Sequence, residues 1–262
     1  LICFIPSGRV LKYTRVEVEN MEIATSLPIK LDGTYNTREL GSYLTEDGKV
    51  TKTHRYLRSD GLSNITENDL NILYNYGVKL VIDLRSATET KKTSYNLKED
   101  MVYLNFPLLD QIQSSGFSME ELPKSMGELY ISIMEMSKST IAGILRAMAN
   151  AGNSCVLFHC AAGKDRTGVT SMLLLKQAGV PNDTIVADYA VTEVYMEKVL
   201  RAQIEAEEEK GLQIPDDMIL SKAPNMVMAI KHLENTYGTV DNYMLSIGMT
   251  PQEIQNLKTR LV

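Results

Sequence analysis

Val156-Leu157-Phe158-His159-Cys160-Ala161-Ala162-Gly163-Lys164-Asp165-Arg166-Thr167-Gly168 is the stretch on which the reading of this chain turns. It begins apolar, narrows to small residues, and continues as a helical pattern over Thr167 to Gln177 that Gly179 and Pro181 end. The expected order is a short buried strand at Cys155 to His159, a tight loop, and a helix. In that arrangement consecutive backbone N–H groups and the positive end of the helix dipole converge on one point. Such a loop holds an oxyanion before any side chain is counted. Ala161, Ala162 and Gly163 are small enough to let the backbone close around a tetrahedral anion.

Cys160 stands at the mouth of this nest, where the groups that would hold phosphate also stabilise a thiolate. Arg166, six residues on, can reach back with a planar fork that matches two phosphate oxygens and the charge they carry during transfer. Thr167 can offer its hydroxyl to the sulfur when sulfur leaves. The combination predicts phosphoryl transfer to Cys160 with neither metal nor cofactor. The plainer alternative is a packed cysteine at a strand end beside a loop that merely turns. Other motifs fit worse. A nucleotide-binding loop needs Gly where Phe158 stands and Ser or Thr where Asp165 stands. A zinc site would have only three histidines and no paired ligands to draw on.

Outward from this stretch the chain alternates helix and strand. Upstream, Lys79 to Leu84 and Met101 to Phe106 read as strands. Thr66 caps a helix with an apolar stripe at Leu70, Leu73 and Tyr74, ended by Gly77. Ser118 to Asn150 reads as helix in pieces, broken at Pro123 and near Ser137 to Thr140. Arg9 to Val18 and His54 to Leu57 read as short strands, with Asp32-Gly33 and Asp47-Gly48 as turns able to close hairpins. The last eighty residues read as helical, with a capping box and an N1 proline at Thr250 to Glu253. This predicts an α/β fold: a mostly parallel sheet flanked by helices, with additional C-terminal helices. The expected organisation is one domain over 1–262. It comprises N-terminal strands and turns at 1–60, an α/β core at 61–180 and a helical part at 181–262.

Of the 262 residues 44% are hydrophobic and 23% charged, and no apolar run approaches the roughly 20 residues of a membrane span. A net charge of −6 excludes general nucleic-acid binding and electrostatic attachment to an anionic membrane. Three cysteines form no disulfide framework and point to a reducing compartment, the cytoplasm. The chain begins at Leu1, so removal of a targeting segment stays open.

His159-Cys160 through Thr167-Gly168 resembles the active-site signature of the bacterial tyrosine and dual-specificity phosphatases, a family that includes phosphoinositide-active members. Asn36-Thr37-Arg38-Glu39-Leu40-Gly41, Arg58-Ser59-Asp60-Gly61-Leu62 and Val81-Ile82-Asp83-Leu84-Arg85 resemble further blocks of that family. Asp188-Tyr189 and Tyr237-Gly238-Thr239-Val240 resemble its C-terminal helical part. Ser42 departs from it where many relatives carry a second Gly, at a turn. The resemblance implies a cysteine-phosphatase-like fold and a phosphorylated protein or phosphoinositide as substrate, with Asp165 as general acid. Asp110, just after a strand, is the rival acid, or a solvated turn residue. Lys164 either contacts a second phosphate, as in lipid- and inositol-phosphate-active relatives, or is a surface lysine. His159 either bonds near the thiolate or is a satisfied core histidine. Arg38 stands among the supporting residues, as do Asp83 and Arg85 at a strand end, where they brace the phosphate loop or form a structural pair. Met119, Met126, Met134, Met136 and Met148 read as core packing, or else as an adaptable lid.

Overall fold

The computed structural model describes residues 2–4, 10–18, 21–26, 28–109, 123–209 and 219–262, the first 25 and residues 203 and 207 by their backbone alone. An antiparallel ribbon opens the chain: β1 (Ile2–Phe4), β2 (Val10–Val18) and β3 (Met21–Ser26), with β2 central. Then come β4 (Arg38–Glu39), β5 (Tyr56–Ser59), α1 (Glu67–Asn75), β6 (Val78–Asp83), α2 (Ala87–Lys92) and β7 (Val102–Asn105). Helices α3 (Met126–Met136) and α4 (Lys138–Ala149) lead to β8 (Cys155–His159) and α5 (Asp165–Gln177). The C-terminal part is helical: α6 (Asn182–Ala190), α7 (Thr192–Tyr195), α8 (Glu197–Glu208), α9 (Ala223–Tyr237), α10 (Val240–Ser246) and α11 (Pro251–Leu261).

The main sheet has the order β4-β5-β8-β6-β7. All its pairs are parallel except β4 with β5. The last strand, β8, therefore lies in the middle, and all five of its residues are buried. A strand covered on both faces has to be apolar on both, which is why Cys-Val-Leu-Phe-His shows no polar alternation. Val156 and Phe158 join Leu80 and Ile82 in the larger core beneath α3 to α5. Cys155 and Leu157 join Leu57, Val81 and Leu73 of α1 in the smaller core on the other face. A bulge between Val78 and Leu80 shifts the register of β6, and so puts Val78 on the same face as Val81. Ser59, His159, Asp83 and Asn105 end four adjacent parallel strands in one row. The site is built beyond that row.

The mostly parallel, helix-flanked sheet agrees with the sequence, as do the Thr66 cap, which the structure completes as a capping box with Asp69, the Thr250 capping box and the break at Ser137 between α3 and α4. Asp47-Gly48 makes its turn, with Gly48 at φ 79 and Leu44 bridged to Val50. Asp32-Gly33 closes no hairpin. Its two N–H groups are instead captured by the Asp69 carboxylate at 2.7 and 2.9 Å. Ser42 adopts φ 73, so a serine here holds the left-handed turn conformation that favours glycine. The α5 helix begins at Asp165 rather than Thr167, and α2 has no counterpart in the sequence expectations. Met126, Met134 and Met148 are core residues and Met136 is exposed; Met119 lies outside the described residues. Among the described residues no helix is long and apolar enough to cross a membrane.

Candidate active site

The loop after β8 is shaped from behind. The His159 carbonyl accepts from Leu84 N–H at 2.8 Å and the Cys160 carbonyl from His159 Nδ1 at 3.0 Å. The Ala161 carbonyl accepts from Gly61 N–H at 2.8 Å. The Asn36 amide donates to the Ala162 and Gly163 carbonyls at 3.1 and 3.3 Å, and Arg58 Nη2 reaches Gly163 O at 2.8 Å. In a planar trans peptide the N–H points opposite to the C=O. Fixing successive carbonyls on the strand side therefore turns their N–H partners toward a common concavity. Gly163, at φ 67, cannot be replaced here, because a Cβ would stand 2.5 Å from the Ser59 carbonyl oxygen.

Cys160 lies where β8 ends, buried in the larger core, while Cys155 faces the opposite side of the sheet. Arg166 is in the first turn of α5. Its Nη1 and Nη2 donate to the two carboxylate oxygens of Glu89 at 2.6 and 2.8 Å. Glu89 is fixed in turn by its capping box, since Ser86 N–H donates to its Oε2 at 2.8 Å. Partial burial pushes the Glu89 carboxyl up, but the Arg166 and Ser86 bonds prevail and hold it at about 2. Burial alone would push the Arg166 guanidinium down. The Glu89 bonds outweigh it, with the charges of Cys160 and Asp165 adding, and hold it above its ordinary range. The Thr167 hydroxyl is buried with no hydrogen-bond partner among the described residues.

Asp165 opens α5, and its Oδ1 accepts from Tyr130 Oη at 2.6 Å. Lys164 is buried, and its Nζ donates to the Ile219 carbonyl at 2.9 Å and lies 3.4 Å from Asp165 Oδ1. This overturns the surface-lysine alternative, because the loop's turn into α5 draws the side chain inward. Asp110 lies outside the described residues.

His159 is a satisfied core histidine. Its Nδ1 faces a carbonyl and so carries the proton, which leaves Nε2 to accept from Tyr95 Oη at 2.6 Å. Burial pushes this imidazole down to about 4, against the opposing pull of Asp83. Asp83 and Arg85 pair with each other through Nε and Nη2 at 2.8–3.1 Å, with Arg85 also tied to Thr93 at the end of α2. They brace the strand end under His159 and do not touch the loop carbonyls. Arg38 is fully buried against Asp188, Asn36 and Thr192. Asn36, Arg58, Glu89, Tyr130 and Tyr189 carried no assigned role in the sequence. Asn36, Arg58 and Tyr189 stand in stretches that resemble blocks of a known family, and Glu89 carries the Ser86-x-x-Glu89 capping pattern; Tyr130 had no signal of either kind.

The sequence model described as the tyrosine phosphatase family matches residues 29–262. The chain belongs to the tyrosine phosphatase family. It is 33% identical over 217 residues to a tyrosine-protein phosphatase of Nostoc commune, covering 79% of this chain and 74% of that one. It is 24% identical over 273 residues to the triple specificity protein phosphatase PtpB of Mycobacterium tuberculosis, covering 87% and 97% of the two chains. The chain is thus a phosphatase of the cysteine-dependent tyrosine phosphatase kind, acting on a phosphorylated substrate. The matched residues include every loop-bracing group named above.

Proposed function

We propose that the chain hydrolyses phosphomonoesters on proteins through a phosphocysteine intermediate on Cys160. Phosphotyrosine is the leading substrate, and phosphoserine, phosphothreonine and phosphoinositide headgroups are further substrates of the same loop. The observation that carries this reading is that every carbonyl from Cys160 to Gly163 is held by a hydrogen bond, while Arg166, on which the Cys160 charge acts, is held in place by Glu89. Around an anion at that point the Cys160 sulfur attacks phosphorus, forming S–P as the ester P–O bond breaks. Loop N–H groups and Arg166 take the non-bridging oxygens. Asp165 gives its proton to the departing oxygen, with Asp110 as the rival. In the second half Asp165 takes a proton from water, which attacks phosphorus. Sulfur leaves as thiolate, eased by the Thr167 hydroxyl, and inorganic phosphate departs. Lys164, committed to Ile219 O and beside Asp165, is poorly disposed to bind additional phosphates. That favours a substrate held by a single phosphate over a soluble inositol polyphosphate.

The test is phosphate release with chelator present, wild type against Cys160→Ser, on phosphotyrosine and phosphoserine peptides and a phosphoinositide. Chelator-resistant turnover that vanishes in the variant is expected, with the panel ranking the substrates. Turnover surviving in Cys160→Ser would remove Cys160 as nucleophile. Phosphate binding without turnover on any ester would leave a binding module.

A further inference from the structure

Tyr130, on α3, and Tyr189, on α6, are both buried, and their rings meet edge to face at 5.8 Å and 78°. Their hydroxyl oxygens are 2.7 Å apart, and Tyr130 Oη is 2.6 Å from Asp165 Oδ1. Each phenol has one proton to give. Tyr130 gives its proton to the carboxylate, so Tyr189 must give its own to Tyr130. The chain is directional, from Tyr189 through Tyr130 to Asp165. Burial first, and then the nearby Asp165 charge, raise the pKa of both phenols above the ordinary tyrosine range, so both remain protonated donors at neutral pH.

We propose that Tyr130, backed by Tyr189, is the positioning residue that aims Asp165 as the proton donor. This rests on the reading of Asp165 as general acid. Oδ1 accepts from a phenol and lies 3.4 Å from the Lys164 ammonium, which makes it the poorer seat for a proton. The proton therefore sits on Oδ2, and the fixed Oδ1 sets the direction in which Oδ2 points. The Asp165 side chain is a quarter exposed, against two fully enclosed phenols, so its open side is the one away from them.

The contact also acts on the rate and not only on placement. As the S–P bond forms and the ester P–O bond breaks, the Oδ2 proton passes to the leaving oxygen and Asp165 becomes an anion. A hydrogen bond donated to a carboxylate is roughly twice as strong as one donated to a neutral acid. The Tyr130 bond therefore tightens along the reaction coordinate, and an interaction that strengthens toward the transition state accelerates the step.

The experiment compares kcat/KM on phenyl phosphate, whose leaving group needs a proton, and on 2,4-dinitrophenyl phosphate, whose leaving group does not. Inorganic phosphate serves as competitive inhibitor to report on the loop. Tyr130→Phe is expected to lose about 10-fold on phenyl phosphate and no more than roughly threefold on the dinitrophenyl ester, with phosphate inhibition unchanged within about twofold. Equal losses on both esters, or none on phenyl phosphate, would overturn the proposal. Asp165→Asn, measured alongside, separates the two layers. If its loss is selective for phenyl phosphate while that of Tyr130→Phe is not, only Tyr130 falls. If Asp165→Asn shows no selectivity, the acid assignment falls and takes Tyr130 with it. Should Tyr130→Phe not fold, Tyr189→Phe decides: a selective loss of about 2–3-fold upholds the relay, and none overturns it.

Discussion

Arg166 and Glu89 meet through two N–H···O bonds of 2.6 and 2.8 Å, one from each terminal nitrogen of the fork. Bidentate pairs of this kind are geometrically specific, because the planar guanidinium cannot rotate without losing one bond. With both terminal nitrogens held, the plane of the fork is set before substrate arrives. Glu89→Gln keeps the shape, removes the charge and turns one acceptor into a donor facing a donor. About a third of the Glu89 side chain is exposed, so solvent tempers the effect. The expected outcome is a fall in kcat/KM on an aryl phosphate of about 10-fold, with the melting temperature little changed. Steady-state kinetics beside thermal unfolding checks it. Unchanged kinetics would mean that Arg166 finds its orientation without Glu89.

The strand–loop–helix unit of β8 and α5 depends on side chains that come from elsewhere in the chain. Asn36 lies 126 residues before Ala162 in sequence, yet its buried amide holds two consecutive loop carbonyls. Asn36→Ala would leave the Ala162 carbonyl without that donor, at a cost of about 1–3 kcal/mol for an unsatisfied buried group. Gly163 O retains Arg58, and Ala161 O retains Gly61 N–H, so the loop loosens at one peptide and does not collapse. Weaker inhibition by inorganic phosphate, by about 10-fold, is expected together with a lower urea midpoint. A lower midpoint with unaltered phosphate inhibition would assign Asn36 to stability alone.

Across the whole molecule, Asp188 ties together segments that the sequence separates widely. Its Oδ1 accepts from Arg38 Nε at 3.1 Å and Tyr43 Oη at 3.0 Å, and its Oδ2 from Arg58. Burial pushes this carboxyl up, but the Arg58 and Arg38 charges prevail and hold it below its ordinary range. Its contribution is therefore present above the unfolded carboxylate range and lost as pH falls through the folded value. Asp188→Asn strands two buried guanidinium groups and should cost about 3–5 kcal/mol, read from urea unfolding at pH 7. His159 adds a second acid sensitivity. Held neutral at about 4 against an unfolded value near 6.5, it binds fewer protons folded than unfolded between those limits. Stability thus falls on acidification through that window, by about 2 kcal/mol between pH 7 and pH 5. Asp83, Arg85 and Arg166 are the charges that act on it, and His159→Gln should flatten the slope. An equal slope in wild type and variant would place the acid sensitivity elsewhere.

The sequence by itself determined the central strand, the loop and the helix around Cys160. Apolar runs, small residues and an Arg at a fixed offset are local properties, and local geometry follows from them. It also determined the capped helices at Thr66 and Thr250, because a side-chain cap is complete within four residues. Tertiary structure alone decided what surrounds the loop. No spacing announces that Asn36 reaches Gly163, that Tyr130 and Tyr189 converge on Asp165, or that Lys164 turns inward to Ile219. Those contacts exist because β8 inserts between β5 and β6, which brings strand ends distant in sequence into one row. Once buried there, each polar group must find a partner or forfeit its hydration, and that requirement acts only on groups the fold has already brought together.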